Sequence, residues 1–155
     1  MFCSLDLAMA YHQVPVKPCD VEKTAFITHV GFYEMAKMAF GLCNAPSAYQ
    51  RLMAGVLQGL MGRICLSYLD NVVVFSTKRS EHAANLCAVL DRIRAAGLKL
   101  KFSKCSLFCD KTLYLGYVIS AAGVSSYPAK LQVLADWPQP SSVRKMQSCL
   151  GFINF

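Results

Sequence analysis

The apolar residues of this chain fall into short runs that are separated by polar or glycine-containing turns. Runs rich in branched and aromatic residues predict strands, and these runs are residues 3–7, 24–28, 32–36, 64–68, 72–75 and 113–119. Gly31 separates the second run from the third, which predicts a hairpin. The fourth and fifth runs are joined across Leu69, Asp70 and Asn71, which predicts a tighter hairpin with an acid at its tip.

Helices are predicted between and after these strands, over about residues 46–60, 80–97, 128–137 and 142–155. Pro46 suits a first helical turn, because its missing N–H costs nothing there. Ser80 is the predicted cap of the second helix, and Ser141 or Ser142 is that of the last. Strands and helices in this order predict an α+β fold, in which helices pack on one face of a sheet.

The composition is apolar for a chain of 155 residues, which is the size of one ordinary domain. Hydrophobic residues make up 55% of the chain and charged residues 16%. Such a chain either buries a large core or leaves apolar surface that other parts of a larger protein cover. No run approaches the roughly 20 apolar residues of a membrane span. The first residues do not show a basic region followed by an apolar run, so we expect no signal peptide. We therefore expect an intracellular protein that is not secreted and has no membrane partner.

The formal net charge of the chain is +7. A basic chain suits a polyanionic partner, because phosphates attract Lys and Arg and release counterions when they are bound. A mildly basic, solvated surface would give the same charge balance. The net charge alone leaves both interpretations open.

Eight cysteines raise the question of disulfides or a zinc site. Their spacing is wide and irregular, and the one close pair, Cys105 and Cys109, has no His at ligand spacing. Most of the cysteines lie in apolar runs, where a free Cys behaves as a small hydrophobic residue. The pattern favours reduced, buried thiols.

Two acids lie in otherwise apolar strands. Asp6 follows Leu5, and Asp70 lies at the tip of the tight hairpin. A buried carboxylate is costly unless it is paired or bound to a cation. Two carboxylates that meet at one edge of a sheet would form a site for hard divalent ions. The alternative is that each Asp caps a turn, and acids that lie far apart would indicate a purely structural domain.

Six segments resemble, in their order and spacing, motifs of the reverse transcriptases of gypsy-type long-terminal-repeat retrotransposons. They are residues 5–14 (LDLAMAYHQV), 40–50 (FGLCNAPSAYQ), 68–71 (YLDN), 97–105 (GLKLKFSKC), 114–120 (YLGYVIS) and 137–155, which begins WPQP and ends LGFINF. Each of these segments alone is a weak signal. All six in order identify the chain as similar to this family.

The resemblance implies a polymerase palm, with an antiparallel sheet and helices packed on one face. Residues 1–120 would form the palm with a partial fingers hairpin, and residues 121–155 would connect it to a truncated thumb. The implied partners are an RNA or DNA template with its primer, a dNTP, and the rest of a retroelement polyprotein, including its thumb, ribonuclease H and integrase. The implied location is the cytoplasm, a retroelement particle or the nucleus.

The resemblance also implies which residues hold the metal ions. Asp6 and Asp70, with the Leu7 carbonyl, would bind two Mg²⁺ ions, for which Mn²⁺ could substitute. Such a pair of ions can activate one oxygen and stabilise the leaving oxygen in phosphoryl transfer. Asp6, Asp70 and Asn71 are accordingly the expected catalytic positions.

Other residues match positions that bind the nucleotide. Tyr11 would exclude a 2′-hydroxyl, Phe40 and Gly41 would lie over the incoming nucleotide, and Lys104 would approach the triphosphate and protonate the leaving pyrophosphate. Each of these residues also has an interpretation that involves no role in nucleotide binding. Tyr11 would then be a half-buried aromatic, the residues at 40 and 41 an ordinary loop, and Lys104 a solvated lysine.

The primer grip of the family corresponds here to Leu115 and Gly116, where a Gly lets the backbone approach the primer closely.

The chain departs from the family pattern at position 71, where Asn stands in place of Asp. Asn keeps the shape of Asp and an acceptor oxygen but loses a negative charge. Met9, Ala10 and Ala39 also differ from the usual residues. The alternative to an active polymerase is therefore a catalytically degenerate remnant of a retroelement that at most binds nucleic acid.

Overall fold

The computed structural model describes residues 1–154, without the side chains of Lys130 and Asn154. Phe155, which closes the last predicted motif and the last predicted helix, lies outside the described residues. The chain divides into two compact units, of which the first is Met1–Thr112 and the second begins at Leu113. The expected functional division at residue 120 stays a prediction.

The elements alternate between strands and helices, as the sequence pattern predicted. The strands are β1 Phe2–Asp6, β2 Phe26–Thr28, β3 Gly31–Tyr33, β4 Cys65–Tyr68, β5 Asn71–Phe75, β6 Ser106–Cys109, β7 Lys111–Tyr114, β8 Tyr117–Ser120 and β9 Gly123–Ser126. The α-helices are α1 Ala45–Val56, α2 Arg79–Ala95, α3 Pro128–Ala135 and α4 Val143–Asn154.

The first unit is built on a four-stranded sheet with the order β4-β5-β1-β6. Strand β1 pairs antiparallel with both β5 and β6, and β4 pairs antiparallel with β5. Pairing with β5 extends to Asp6 at the end of β1, whereas pairing with β6 reaches Ser4. Strand β5 is buried along Val72, Val73 and Val74, as expected of a central strand.

Both helices of the first unit contribute to one hydrophobic core against this sheet. Cys3 and Leu5 of β1 lie in that core with Tyr49 and Met53 of α1 and Val89 of α2. Successive strand residues point to opposite faces, so these odd-numbered positions of β1 mark the face that the helices cover. The predicted packing of helices on one face of an antiparallel sheet is confirmed.

The predicted helix boundaries need two corrections. Helix α1 ends at Val56 rather than at Leu60, although Pro46 does lie in its first turn. Ser80 lies inside α2, whose cap position is Lys78, so the predicted cap was wrong. Of the two serines predicted as the cap of α4, Ser142 is the one that caps it, because its hydroxyl accepts a hydrogen bond from the Lys145 N–H at 3.3 Å.

The second unit departs most from the sequence-based prediction. The single strand predicted over residues 113–119 is a tight hairpin, in which β7 and β8 are joined at Leu115 and Gly116. Both turn residues have positive φ, 51° and 80° respectively. Strand β9 was not predicted, and it completes a three-stranded sheet with the order β7-β8-β9.

The hairpin predicted as partial fingers exists but is shorter than expected, and it carries exposed apolar side chains. Its two strands are β2 and β3, and Phe26, Ile27, Val30, Phe32 and Tyr33 are all exposed. The apolar composition allowed either a large buried core or apolar surface that other parts of a larger protein cover, and this hairpin shows the second. Within residues 1–154, no helix has the length and apolar character that crossing a lipid bilayer requires.

The cysteines are only partly buried. Cys3 and Cys65 are fully buried, and burial raises the pKa of the Cys65 thiol to about 11. Cys19, Cys43 and Cys87 are exposed, so the prediction that the thiols are buried was wrong for them. The eight cysteines, all within the described residues, form no disulfide.

A buried histidine links the start of β1 to α2. His82 is fully buried, with Nδ1 at 2.7 Å from the Ser76 hydroxyl and Nε2 at 3.1 Å from the Cys3 sulfur. Burial, with a smaller effect of the Met1 ammonium, lowers the pKa of His82 below its usual 6.5. The neutral ring is therefore the form that the fold favours.

We expect the free energy of unfolding to fall as the pH is lowered from about 7 to about 5. The unfolded chain binds a proton at His82 more readily than the folded chain, so the contribution of His82 is complete above the unfolded pKa and is lost below it. Denaturant unfolding followed by circular dichroism at several pH values measures this slope. The slope should be smaller in His82→Gln than in a control, His29→Gln, which alters an exposed residue. Equal slopes in the two variants would show that His82 does not cause the pH dependence of the free energy of unfolding.

Candidate active site

The end of β1 and the β4–β5 turn meet at one edge of the main sheet. Asp6, the last residue of β1, lies opposite Asn71, the first residue of β5. The Leu7 N–H donates a hydrogen bond of 3.0 Å to the Asp70 carbonyl. Antiparallel pairing thus brings together two acids that are distant along the chain.

A cleft of about 360 Å³ opens at this edge. Its lining residues are Asp6, Leu7, Met9, Ala10, Tyr11, Phe40, Asp70, Lys101 and Lys104. Six of the residues expected at the site therefore share one cleft. Asn71 and Gly41 adjoin Asp70 and Phe40 in the chain but do not line the cleft, and Leu115 and Gly116 form a hairpin turn in the second unit.

Opposite charges balance within the cleft. The Lys104 ammonium lies 3.6 Å from the Asp6 carboxylate, whose side chain is only 16% exposed. Lys101 also lines the cleft, and its N–H donates a hydrogen bond of 2.8 Å to the Asp6 carbonyl. Two carboxylates and two ammonium groups line this space, so its charged side chains sum to zero. The contribution of Lys101 was missed from the sequence, because its place beside Asp6 depends on strand pairing.

Asn71 directly contacts the acid that precedes it. Its side-chain amide donates a hydrogen bond to the Asp70 carboxylate, with 3.3 Å between Nδ2 and Oδ1. This hydrogen bond occupies a lone pair of the Asp70 carboxylate that would otherwise be available to a cation. An Asp at position 71 would offer a second carboxylate in place of this donor.

Aromatic rings form one wall of the site. The Tyr11 ring packs edge-on against Phe40, with 5.1 Å between ring centroids, and against Tyr49, with 5.7 Å. The Tyr49 hydroxyl is buried and has no hydrogen-bond partner among the described residues. Burial, with a smaller effect of the Asp70 charge, raises the pKa of Tyr49 well above its usual value. Tyr49 is therefore un-ionised beneath the cleft.

Two glutamines that the sequence analysis did not single out hold the segments around the cleft. The Gln13 side chain donates to the carbonyls of Ala8 and Lys99, at 2.5 and 3.0 Å, and accepts from the Lys99 N–H at 2.6 Å. The Gln50 side chain bonds in the same way to the β4–β5 turn. Both residues lie within the recognised motifs, which was the only signal that the sequence offered.

The donor set of the cleft fits a divalent cation of the Mg²⁺ class. Mg²⁺ is commonly held by one or two carboxylates together with substrate phosphates and water, rather than by a complete protein cage. Asp6 and Asp70 supply that number of carboxylates. Across residues 1–154, no cluster of three or more His, Cys, Asp or Glu side chains forms a fuller metal site.

Comparison with known proteins gives a family match over most of the chain. A family model described as reverse transcriptase (RNA-dependent DNA polymerase) matches residues 1–119. The chain is 34% identical over 154 residues to the retrovirus-related Pol polyprotein from transposon 297 of Drosophila melanogaster, a match that covers 99% of the chain and 14% of the polyprotein. Identity to the Pol polyprotein from transposon gypsy of the same species is 36%, with 99% and 15% coverage.

The fold is also found among solved structures. A foamy viral protease-reverse transcriptase in complex with double-stranded DNA superimposes with a TM-score of 0.91 at 21% sequence identity. The match covers 99% of this chain and 27% of that protein. The chain thus has the fold of part of a larger protein, and it spans 14–15% of the length of the two polyproteins.

Proposed function

Because the chain belongs to the reverse transcriptase family, we propose that its first unit carries the polymerase site of a gypsy-type retrotransposon polyprotein. The proposed reaction joins a dNTP to the 3′-hydroxyl of a primer on an RNA or DNA template. The observation that supports this most is the placement of Asp6 and Asp70 in one cleft, together with two lysines.

The chemistry follows from the groups that line the cleft. The primer 3′-hydroxyl attacks the α-phosphate of the dNTP, and pyrophosphate leaves. Asp6, Asp70 and the Leu7 carbonyl would hold two divalent cations, Mg²⁺ or Mn²⁺, whose chemistry there is to activate the hydroxyl and to offset charge on the leaving group. Lys104 adds positive charge beside the triphosphate and donates a proton to the departing pyrophosphate.

The sugar and base of the nucleotide would meet the aromatic wall. Tyr11 and Phe40 line the cleft with their rings in contact. In the proposed role Tyr11 occupies the space that a ribose 2′-hydroxyl would need, and Phe40, with the neighbouring Gly41, lies over the incoming nucleotide. Leu115 and Gly116, at the turn of the second unit, would position the primer end.

The proposed partners are nucleic acid and the rest of a polyprotein. A primer–template duplex suits a basic chain of net charge +7, since phosphates attract Lys and Arg. The foamy viral neighbour was solved with double-stranded DNA. The remaining thumb, ribonuclease H and integrase regions would lie in the polyprotein, and the protein would act inside the cell.

A second candidate function is a degenerate polymerase that retains nucleic-acid binding without catalysis. It is favoured by Asn71, whose amide donates to the Asp70 carboxylate where the family places a second acid. The charged side chains that line the cleft sum to zero, and Asn71 beside Asp70 adds no negative charge to attract divalent cations. Both candidates share one fold and one cleft, so they are separated by whether the cleft binds metal and nucleotide.

The deciding experiment is a titration of the chain with Mn²⁺, read by electron paramagnetic resonance, in the presence and absence of a dNTP. The polymerase proposal predicts that the chain and the dNTP together bind more Mn²⁺ than the sum of what each binds alone, because the phosphates of the dNTP complete the ligand set of the cleft. Asp70→Ala should remove this effect. Asp91→Ala is the matched control, since it removes an exposed acid of α2 that does not line the cleft.

An effect of the dNTP that survives Asp70→Ala would reject the proposed site. Absence of any dNTP-dependent Mn²⁺ binding in the unaltered chain would favour the degenerate candidate instead.

A further inference from the structure

Both polar atoms of the Gln50 side-chain amide form hydrogen bonds with the backbone, one with the end of β4 and one with the β4–β5 turn. Its Nε2 donates to the Ser67 carbonyl at 3.2 Å, and its Oε1 accepts from the Leu69 N–H at 2.8 Å. Gln50 belongs to α1, which packs against β4. A carboxamide can present an N–H donor and a C=O acceptor side by side, as one residue of a strand presents its own N–H and C=O to a neighbouring strand. Gln50 therefore acts on the turn as one more backbone strand would.

The turn needs such support because its backbone is strained. Leu69 has a φ of 52°, in the left-handed region that a residue other than glycine adopts only at an energetic cost. Residues held there persist only when surrounding contacts over-determine them. The Leu69 N–H is the group that Gln50 accepts from, so the contact falls on the strained residue itself.

The contact is partly shielded from water, because Gln50 and Leu69 are both half-buried. The neighbouring Tyr49 hydroxyl and the Ser67 hydroxyl are buried without a hydrogen-bond partner among the described residues. A partly buried hydrogen bond is stronger than one in water, and a partly buried backbone group that loses its partner is costly.

Leu69 directly precedes Asp70, whose own carbonyl accepts from the Leu7 N–H. The acid at the tip is thus held from two directions, by Gln50 beneath the turn and by the end of β1 beside it. We infer that Gln50 is a positioning residue for the proposed polymerase reaction, and that it fixes the Leu69 peptide so that the Asp70 carboxylate faces the cleft. This inference rests on the proposed function.

The test compares Gln50→Met with Gln58→Met in the 155-residue chain. Met keeps the length of the side chain and removes both hydrogen bonds, and the control makes the same change at an exposed position just beyond α1. Hydrogen exchange of the Leu69 amide, followed by NMR, should accelerate about tenfold in Gln50→Met, in line with the loss of one net hydrogen bond. The control should leave it unchanged.

The second measurement separates a positioning role from a merely structural one. Affinity for Mn²⁺, read by electron paramagnetic resonance, should weaken several-fold in Gln50→Met. The thermal unfolding midpoints of Gln50→Met and of the control Gln58→Met should differ little. Gln50→Glu keeps the acceptor for the Leu69 N–H, so it should restore slow exchange at that amide.

The outcomes separate the two levels of the proposal. Unchanged exchange at Leu69 in Gln50→Met overturns the inference, and so does faster exchange with unchanged Mn²⁺ affinity. Failure of the unaltered chain and of Gln58→Met to bind Mn²⁺ instead rejects the proposed metal site, and with it the role of Gln50 in positioning Asp70.

Discussion

Replacement of Asn71 by Asp is expected to raise the rate of primer extension by about 10²–10³-fold, the usual worth of one preorganised electrostatic group. The change removes the amide that donates to the Asp70 carboxylate and puts a second carboxylate in its place. It also places a further negative charge directly beside Asp70, next to a cleft whose lining carboxylates and ammonium groups balance. The measurement is single-turnover primer extension by a complete polyprotein polymerase that contains this chain, with and without the substitution.

The control for this prediction adds the same charge elsewhere. Gln58→Glu places a carboxylate at an exposed position that does not line the cleft, and it should leave the rate unchanged. Equal rates for the unaltered enzyme and its Asn71→Asp variant would show that the second acid is not what limits this site.

Removal of the first acid should have an effect of similar size in the opposite direction. In the Asn71→Asp background, where a rate is expected to be measurable, Asp6→Asn should lower primer extension by at least about 10²-fold. Asp6 is one of two carboxylates in the cleft, and Asn cannot supply its charge to a cation. The rate is measured at saturating dNTP over a range of Mg²⁺ concentrations.

Asp91→Asn serves as the control for this prediction, because it removes an exposed acid outside the cleft. An Asp6→Asn enzyme that is folded, by its unfolding midpoint, and as fast as this control would exclude Asp6 from catalysis.

The sequence was informative where one residue type was out of place in its surroundings. An acid inside an apolar run marked both Asp6 and Asp70, and the turn between residues 68 and 71 was short enough to predict a hairpin. These local signals sufficed for β1, β4 and β5. That the two acids share a cleft follows from the order β4-β5-β1-β6, which local patterns do not determine.

Other features were missed because they depend on contacts between distant segments. Gln50 and Lys101 are ordinary polar residues in the sequence, and only packing brings them to the turn and to Asp6. The β7–β8 hairpin was taken for one strand because its turn contains an apolar residue, Leu115, and a single Gly. A positive φ at a non-glycine residue has no reliable sequence signal.

If the cleft binds a divalent cation and a triphosphate as proposed, the ion pair between Lys104 and Asp6 links the affinities for the two ligands. A divalent cation that binds the Asp6 carboxylate competes with an ammonium that the chain already provides. The displaced ammonium then becomes available to an anion such as a triphosphate, so cation and anion each raise the affinity for the other. Lys104 is more than half exposed, so solvent keeps this cooperativity modest. The two ligands are thus thermodynamically linked through a single lysine.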